Sequence, residues 1–276
     1  MMMLEAGGAS IPALGLGTWT LSGRRCTELV AGALAAGYRH VDTAAAYDNE
    51  AAVGEAVRHC GLPREQIHVT TKVWHTDLAP RDLVRSVENS LRRLGLDHVD
   101  LALVHWPSRD VPLAHTIAAM NQVADRGLAR HIGVSNFTVA LLDQAVALSE
   151  HPIVCNQVEY HPYLSQDRVL AACRRHGVAL VSYCPLGRAG GLLAEPAIAA
   201  AARAHGRSPA QVVLRWHLQQ PGVGAIPRSS SPARIRENLD VFGFALTGAE
   251  MAAIDALKAR GQRICDFAFS PDWDPA

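Results

Sequence analysis

Four proton-active side chains of different chemistry, Asp42, Tyr47, Lys72 and His105, stand at or just past the ends of three short apolar runs. The runs are YRHVD (38–42), HVTTK (68–72) and VDLALVHW (99–106), each with the character of a buried β-strand. Tyr47 follows in the loop after the first of them. In a parallel β/α barrel the strand C-termini converge on one mouth, so residues distant in the chain become neighbours there. A carboxylate, a phenol, an amine and an imidazole in one place suit proton donation to a carbonyl oxygen. The phenol is the candidate acid. Its reference pKa is about 10, and an ammonium beside it is expected to lower that by roughly 1–3 units. Asp42 would keep Lys72 charged and in place, while a neutral His105 would orient the oxygen and stabilise its developing negative charge.

Of the 26 cationic Lys and Arg side chains only two are lysines, Lys72 and Lys258. Retention of an ammonium at 72, in a chain that otherwise uses arginine, points to a site that needs a compact point charge instead of a planar fork. Trp19, Trp74 and Trp106 also follow strand ends and are expected to wall an apolar substrate cleft. Ser135, Asn136 and Gln157 place a hydroxyl and two amides at the fifth and sixth strand ends, able to pair with a carboxamide. Tyr183, at the seventh, offers a ring for stacking. The segment IPRSSSPARIREN (226–238) carries Arg228, Ser229 and Arg234 into a helix N-terminus, a setting that favours phosphate.

The alternation of patterns that positions these residues is regular. Strands are predicted near 11–17, 38–42, 68–72, 99–106, 129–136, 154–161, 179–185 and 222–228. Helices are predicted over 26–37, 49–59, 80–93, 113–125, 138–149, 166–176, 195–205, 209–219, 232–240 and 247–259. Eight strand–helix units with short links imply an α/β (β/α)8 TIM barrel, read as a single domain over residues 1–276. The rival dinucleotide fold requires G-x-G-x-x-G after a strand. The nearest match, Gly15-Leu16-Gly17-Thr18-Trp19-Thr20, lacks the third glycine.

The bulk properties narrow the function classes. Hydrophobic content of 49% and a mean hydropathy of +0.06 allow a large core, and a formal net charge of +0 argues against nucleic acid or membrane as partner. Six scattered cysteines without C-x-x-C pairing suggest reduced thiols in the cytoplasm. No two of the 13 histidines lie two apart, so no metal is expected.

Together these segments resemble the aldo-keto reductase family, nearly end to end. The resemblance rests on Gly37-Tyr38-Arg39-His40-Val41-Asp42-Thr43-Ala44 followed by Glu50 and Val53-Gly54, and on the 226–238 segment. Tyr47 to Gly54, Ser135-Asn136-Phe137-Thr138 and the tail Ser270-Pro271-Asp272-Trp273 are most similar to bacterial 2,5-diketo-D-gluconate reductases of the B type, which also reduce methylglyoxal. The resemblance implies an NADPH-dependent carbonyl reductase with Asp42, Tyr47, Lys72 and His105 as a catalytic tetrad. It further implies cofactor contacts from Ser135, Asn136, Gln157, Tyr183, Leu186, Arg228, Ser229, Arg234, Glu237 and Asn238. A small carbonyl compound is the expected partner and a cytoplasmic monomer the expected state. Arg228 stands where the family usually has lysine. The loops after Trp106 and Tyr183 are shorter than in the larger eukaryotic members and the C-terminal tail is brief, so a more open cleft is expected. An alternative is a barrel that binds NADPH as a regulatory or redox-sensing element with little turnover.

Overall fold

The computed structural model describes residues 1–275. The chain opens with an antiparallel hairpin, β1 (Met3–Ala6) and β2 (Ala9–Pro12), that the strand pattern did not announce. Gly7 and Gly8 turn it with φ of 53° and 85°. Positive φ at both central residues is what a two-residue primed turn requires. Leu4 from this hairpin lies where a Cβ on Gly224 would meet it at 2.9 Å, so the hairpin closes the N-terminal end of the barrel.

Eight parallel strands follow in sequence order: β3 (Leu16–Gly17), β4 (His40–Asp42), β5 (His68–Val73), β6 (Val99–Val104), β7 (Ala129–Ser135), β8 (Ile153–Glu159), β9 (Ala179–Tyr183) and β10 (Val223–Ala225). The sheet closes on itself where Leu14 bridges Ala225 and the Gly15 N–H donates to the Ala225 carbonyl at 2.9 Å. This is the (β/α)8 barrel that the alternation of patterns implied. Each strand hands on to helix: α1 (Gly23–Ala36), α2 (Glu50–His59), α3 (Pro80–Leu94), α4 (Leu113–Asp125), α5 (Val139–Leu148) and α6 (Asp167–His176). Two helices, α7 (Pro196–His205) and α8 (Pro209–Leu218), separate β9 from β10; α9 (Pro232–Leu239) and α10 (Gly248–Asp255) complete the shell.

Strand β5 is buried along its whole length, as its position between two strands and under helices demands. Alternation along the strand turns Val69, Thr71 and Val73 toward the helices and Thr70 and Lys72 into the barrel. Helix α2 is pressed onto the end of α3 so closely that a Cβ on Gly54 would sit 1.9 Å from the Leu94 carbonyl oxygen. Only glycine fits there. From α2, the buried Glu50 accepts from Thr71 Oγ1 at 2.5 Å and from Arg93 Nε at 2.7 Å, fixing the helix against β5 beside Lys72.

Candidate active site

The strand C-termini open into a cavity of about 880 Å³ lined by Trp19, Asp42, Tyr47, Trp74, His105, Trp106, Asn136, Gln157, Tyr183, Arg228 and Arg234, among others. At its floor the fully buried Lys72 Nζ donates to Asp42 Oδ1 at 2.5 Å, to the Thr43 carbonyl at 2.8 Å and to Tyr47 Oη at 3.5 Å. Gln157 Nε2 donates to the other carboxylate oxygen of Asp42 at 2.7 Å. Asp42 is thereby held on both oxygens. Tyr47 sits on a short turn (Ala45–Tyr47) whose position is set by Asn49, which accepts from Thr43 Oγ1 at 2.6 Å and donates to the Thr18 and Leu21 carbonyls at 2.9 Å each. The His105 ring lies edge-on to Tyr47 at 5.6 Å and to Trp74 at 5.0 Å, and its Nδ1 is buried without a partner among the described residues.

Electrostatics here correct one expectation. The Lys72 ammonium does not draw the Tyr47 pKa down; it is raised well above the ordinary phenol value. Burial is the largest cause and the Asp42 carboxylate the next, because Asp42 already neutralises the lysine. Burial also lowers the Lys72 pKa, against the pull of Asp42. His105 is held far below the ordinary histidine value, first by burial and then by Lys72 and His75. Near neutral pH the cluster therefore comprises a protonated phenol and a neutral imidazole beside a buried ion pair. It can give one proton to an oxygen that gains negative charge.

The other singled-out residues divide by position. Tyr183 donates from its hydroxyl to Asn136 Oδ1 at 2.7 Å, and Asn136 Nδ2 donates to the His105 carbonyl at 2.9 Å and to Ser135 Oγ at 3.1 Å. Ser135 is fully buried behind the wall, its hydroxyl spent on the Gln157 carbonyl at 2.7 Å. Among the described residues no hydrogen bond engages the Gln157 amide oxygen, which leaves it for a ligand. Leu186, Arg228, Ser229, Arg234, Glu237 and Asn238 also line the cavity. Ser231 caps α9 by accepting from the Arg234 N–H at 3.4 Å. Among the described residues Arg228 is tethered only through Nε to the Trp19 carbonyl at 3.2 Å, and the Arg234 guanidinium has no acidic or hydrogen-bonded partner. Two guanidiniums without carboxylates, beside a helix N-terminus and a serine hydroxyl, can hold a phosphate monoester.

Trp74 and Trp106 wall the inner cleft, while Trp19 stands 45% exposed at its rim. The C-terminal tail supplies a wall that sequence reasoning missed. Glu159 at the end of β8 accepts from the Ile264 and Cys265 N–H groups at 2.7 and 2.6 Å, which turns the tail across the mouth. Phe269 then packs edge-on to both Trp74 and Trp106 at 5.4 Å, and Phe267 edge-on to Trp106 at 5.7 Å. From the loop after β9, Arg188 lays its guanidinium over the Trp19 ring at 4.5 Å. The short tail does cover part of the cleft. Its only sequence signal was the spacing of aromatics in DFAFSPDW (266–273).

With this geometry in place, comparison with known proteins is direct. The model of the aldo/keto reductase family matches residues 13–259. Morphine 6-dehydrogenase of Pseudomonas putida is 43% identical over 91% of this chain and 88% of its own length. Methylglyoxal reductase DkgB of Yersinia pestis is 39% identical over 96% of this chain and 100% of its own. A solved structure provisionally assigned as a 2,5-diketo-D-gluconic acid reductase B superposes with a TM-score of 0.96 at 44% identity, covering 99% of this chain and 98% of the other.

Proposed function

Since the chain belongs to the aldo/keto reductase family and is an oxidoreductase acting on carbonyls, we propose that it reduces aldehydes and ketones with NADPH and that Tyr47 is the proton donor. The observation that carries this reading is the run of contacts from Asp42 through Lys72 to Tyr47 Oη at the floor of an apolar cavity. NADPH, when bound, supplies the hydride for the carbonyl carbon. The protein's residues do the rest. His105, neutral and lining the cavity, orients the carbonyl oxygen by donating a hydrogen bond. Tyr47 gives up its proton as that oxygen gains charge, and Lys72 stabilises the phenolate left behind. The high pKa of the buried phenol keeps the proton in place until that moment.

Arg228, Ser229 and Arg234 would hold the phosphate that distinguishes NADPH from NADH, and Glu237 and Asn238 lie where the adenine would follow. Gln157 and Asn136 would meet a carboxamide, Tyr183 would offer its ring for stacking, and Leu186 would line the same pocket. Relatives that bear the names methylglyoxal reductase and morphine 6-dehydrogenase support a small dicarbonyl as substrate and leave room for bulkier ketones. Purified protein assayed with methylglyoxal, 2,5-diketo-D-gluconate, an aromatic aldehyde and a polycyclic ketone, each with NADPH and with NADH, tests this directly. Consumption of NADPH at least ~10-fold faster than NADH with one or more of them is the expected result. Tight NADPH binding without turnover on any carbonyl would instead favour a regulatory barrel.

A further inference from the structure

Two of the six cysteines line the catalytic cavity and play no part in the proton transfer. Cys184 directly follows Tyr183 at the end of β9, in a left-handed conformation (φ 50°) that costs a non-glycine residue energy and is found where geometry is over-determined. Cys265 lies in the tail, its backbone N–H clamped by Glu159 at 2.6 Å. Both thiols border the same stretch of cavity, and the Arg188 guanidinium donates to Cys265 Sγ at 3.3 Å. Arg188 has no carboxylate partner among the described residues. Neither sulfur is in a disulfide.

This arrangement differs from that of the other buried thiols. Cys26, Cys155 and Cys173 lie in the core, where burial raises their pKa and keeps them inert. Cys184 is shifted the opposite way, to about 7, by the hydrogen bond from Cys265 first and by Arg188 next, while the Cys265 thiol is pushed up. The pair therefore presents one thiolate to the cavity with a protonated thiol beside it, the division of labour between an attacking and a resolving cysteine.

We propose that Cys184 and Cys265 are a site of oxidative modification by hydroperoxides, closing to a disulfide that staples the C-terminal tail to the end of β9. The Cys184 thiolate attacks one oxygen of hydrogen peroxide, the O–O bond breaks, and the departing hydroxide takes up the proton that Cys184 had released, giving water. Cys184 is now a sulfenic acid. The Cys265 sulfur then attacks the Cys184 sulfur, the S–O bond breaks, and hydroxide leaves with the Cys265 proton as a second water. Two thiols lose two electrons and the peroxide gains them. Closure takes both sulfurs from Arg188 and fixes the wall that carries Tyr183 on one side and Phe267 on the other. Reduction by a dithiol reverses it.

The test uses the reduced full-length protein, treated with a slight molar excess of hydrogen peroxide, then denatured and alkylated. Four of the six thiols should alkylate, and mass spectrometry should find the Cys184 peptide linked to the Cys265 peptide until dithiothreitol is added. In Cys265→Ser the reaction should stop at a sulfenic acid on Cys184 that dimedone traps. Arg188→Gln should slow linkage by about tenfold through loss of the neighbouring cation. Retention of all six thiols would overturn the proposal, as would oxidation of the wild-type chain at the partly exposed Cys60 in place of the pair. Stable sulfenic acid on Cys184 with Cys265 still free would also overturn it.

Discussion

At the scale of single residues, the reading turns on a proton that burial holds on Tyr47 and a charge that burial would otherwise expel from Lys72. Tyr47→Phe removes the proton while keeping the ring that packs against His105. Turnover should fall by at least about a thousandfold, on the order of a lost acid group plus its polar anchor, with NADPH affinity by fluorescence titration within twofold; unchanged turnover would remove Tyr47 from the chemistry. Lys72→Met is a different experiment, because it strands the Asp42 carboxylate, which is 1% exposed. Breaking such a pair costs roughly 3–5 kcal/mol, so a urea melt should show a large loss of stability as well as of activity. Adding Asp42→Asn should recover much of that stability and none of the turnover, which separates scaffold from chemistry. Arg234 lies outside this network and its guanidinium is unengaged among the described residues. Arg234→Ala should raise the NADPH dissociation constant about 10–100-fold, the worth of one charge-assisted bond to phosphate at roughly 1.5–3 kcal/mol. The NADH constant should barely move, and equal effects on both would end the phosphate reading.

At the scale of elements, the barrel strands and helices were legible because each announces itself. The strands β5, β6 and β8 are buried along their whole length, and helices such as α3 start on Pro80 and stop on Gly95, whose φ is 64°. The convergence of Asp42, Tyr47, Lys72 and His105 was legible for the same reason, since strand ends meet at one mouth of a parallel barrel. The hairpin β1–β2 was not, because four-residue strands carry too little periodicity and the Gly7–Gly8 turn was its one signal. Nor was the sign of the Tyr47 pKa, which depends on how deep the ring lies and on how fully Asp42 cancels Lys72. The tail was hidden for a third reason: its course is set by Glu159, more than a hundred positions earlier in the chain. Phe269 packs against both Trp74 and Trp106, so Phe269→Ala should loosen the apolar wall they form. KM for an aromatic aldehyde should rise up to about tenfold, in keeping with ~0.5–1.5 kcal/mol for an aromatic contact, while KM for methylglyoxal and the melting temperature stay nearly constant. A matching rise for both substrates would mean the tail positions the whole mouth and does not merely line it.

At the scale of the molecule, the barrel interior stores a pH dependence that no single site displays. His40, His68, His105 and His217 are all buried and all have their pKa lowered, with burial the leading cause for each and His217 brought to about 4. His68 Nε2 has no partner among the described residues, and His217 is held by Nδ1 at 2.8 Å from the Val213 carbonyl and Nε2 at 3.1 Å from that of Tyr160. An unfolded chain would protonate these rings as pH falls through about 6.5, whereas folded His217 resists until about 4. Across that window the unfolded state binds more protons, so folding stability is complete above it and is lost as the pH drops. His217 alone accounts for up to ~3 kcal/mol by this linkage, and the other three histidines act in the same direction. Carboxylates with lowered pKa, such as Glu159, add their own loss only at more acid values. Urea unfolding at pH 8, 6.5, 5.5 and 4.5 should therefore give a falling free energy that begins near pH 6.5, above the carboxylate range, and His217→Gln should make the descent shallower by about one proton. A free energy that stays level from pH 8 to 4.5 would mean that these rings take up protons inside the folded barrel as readily as in water.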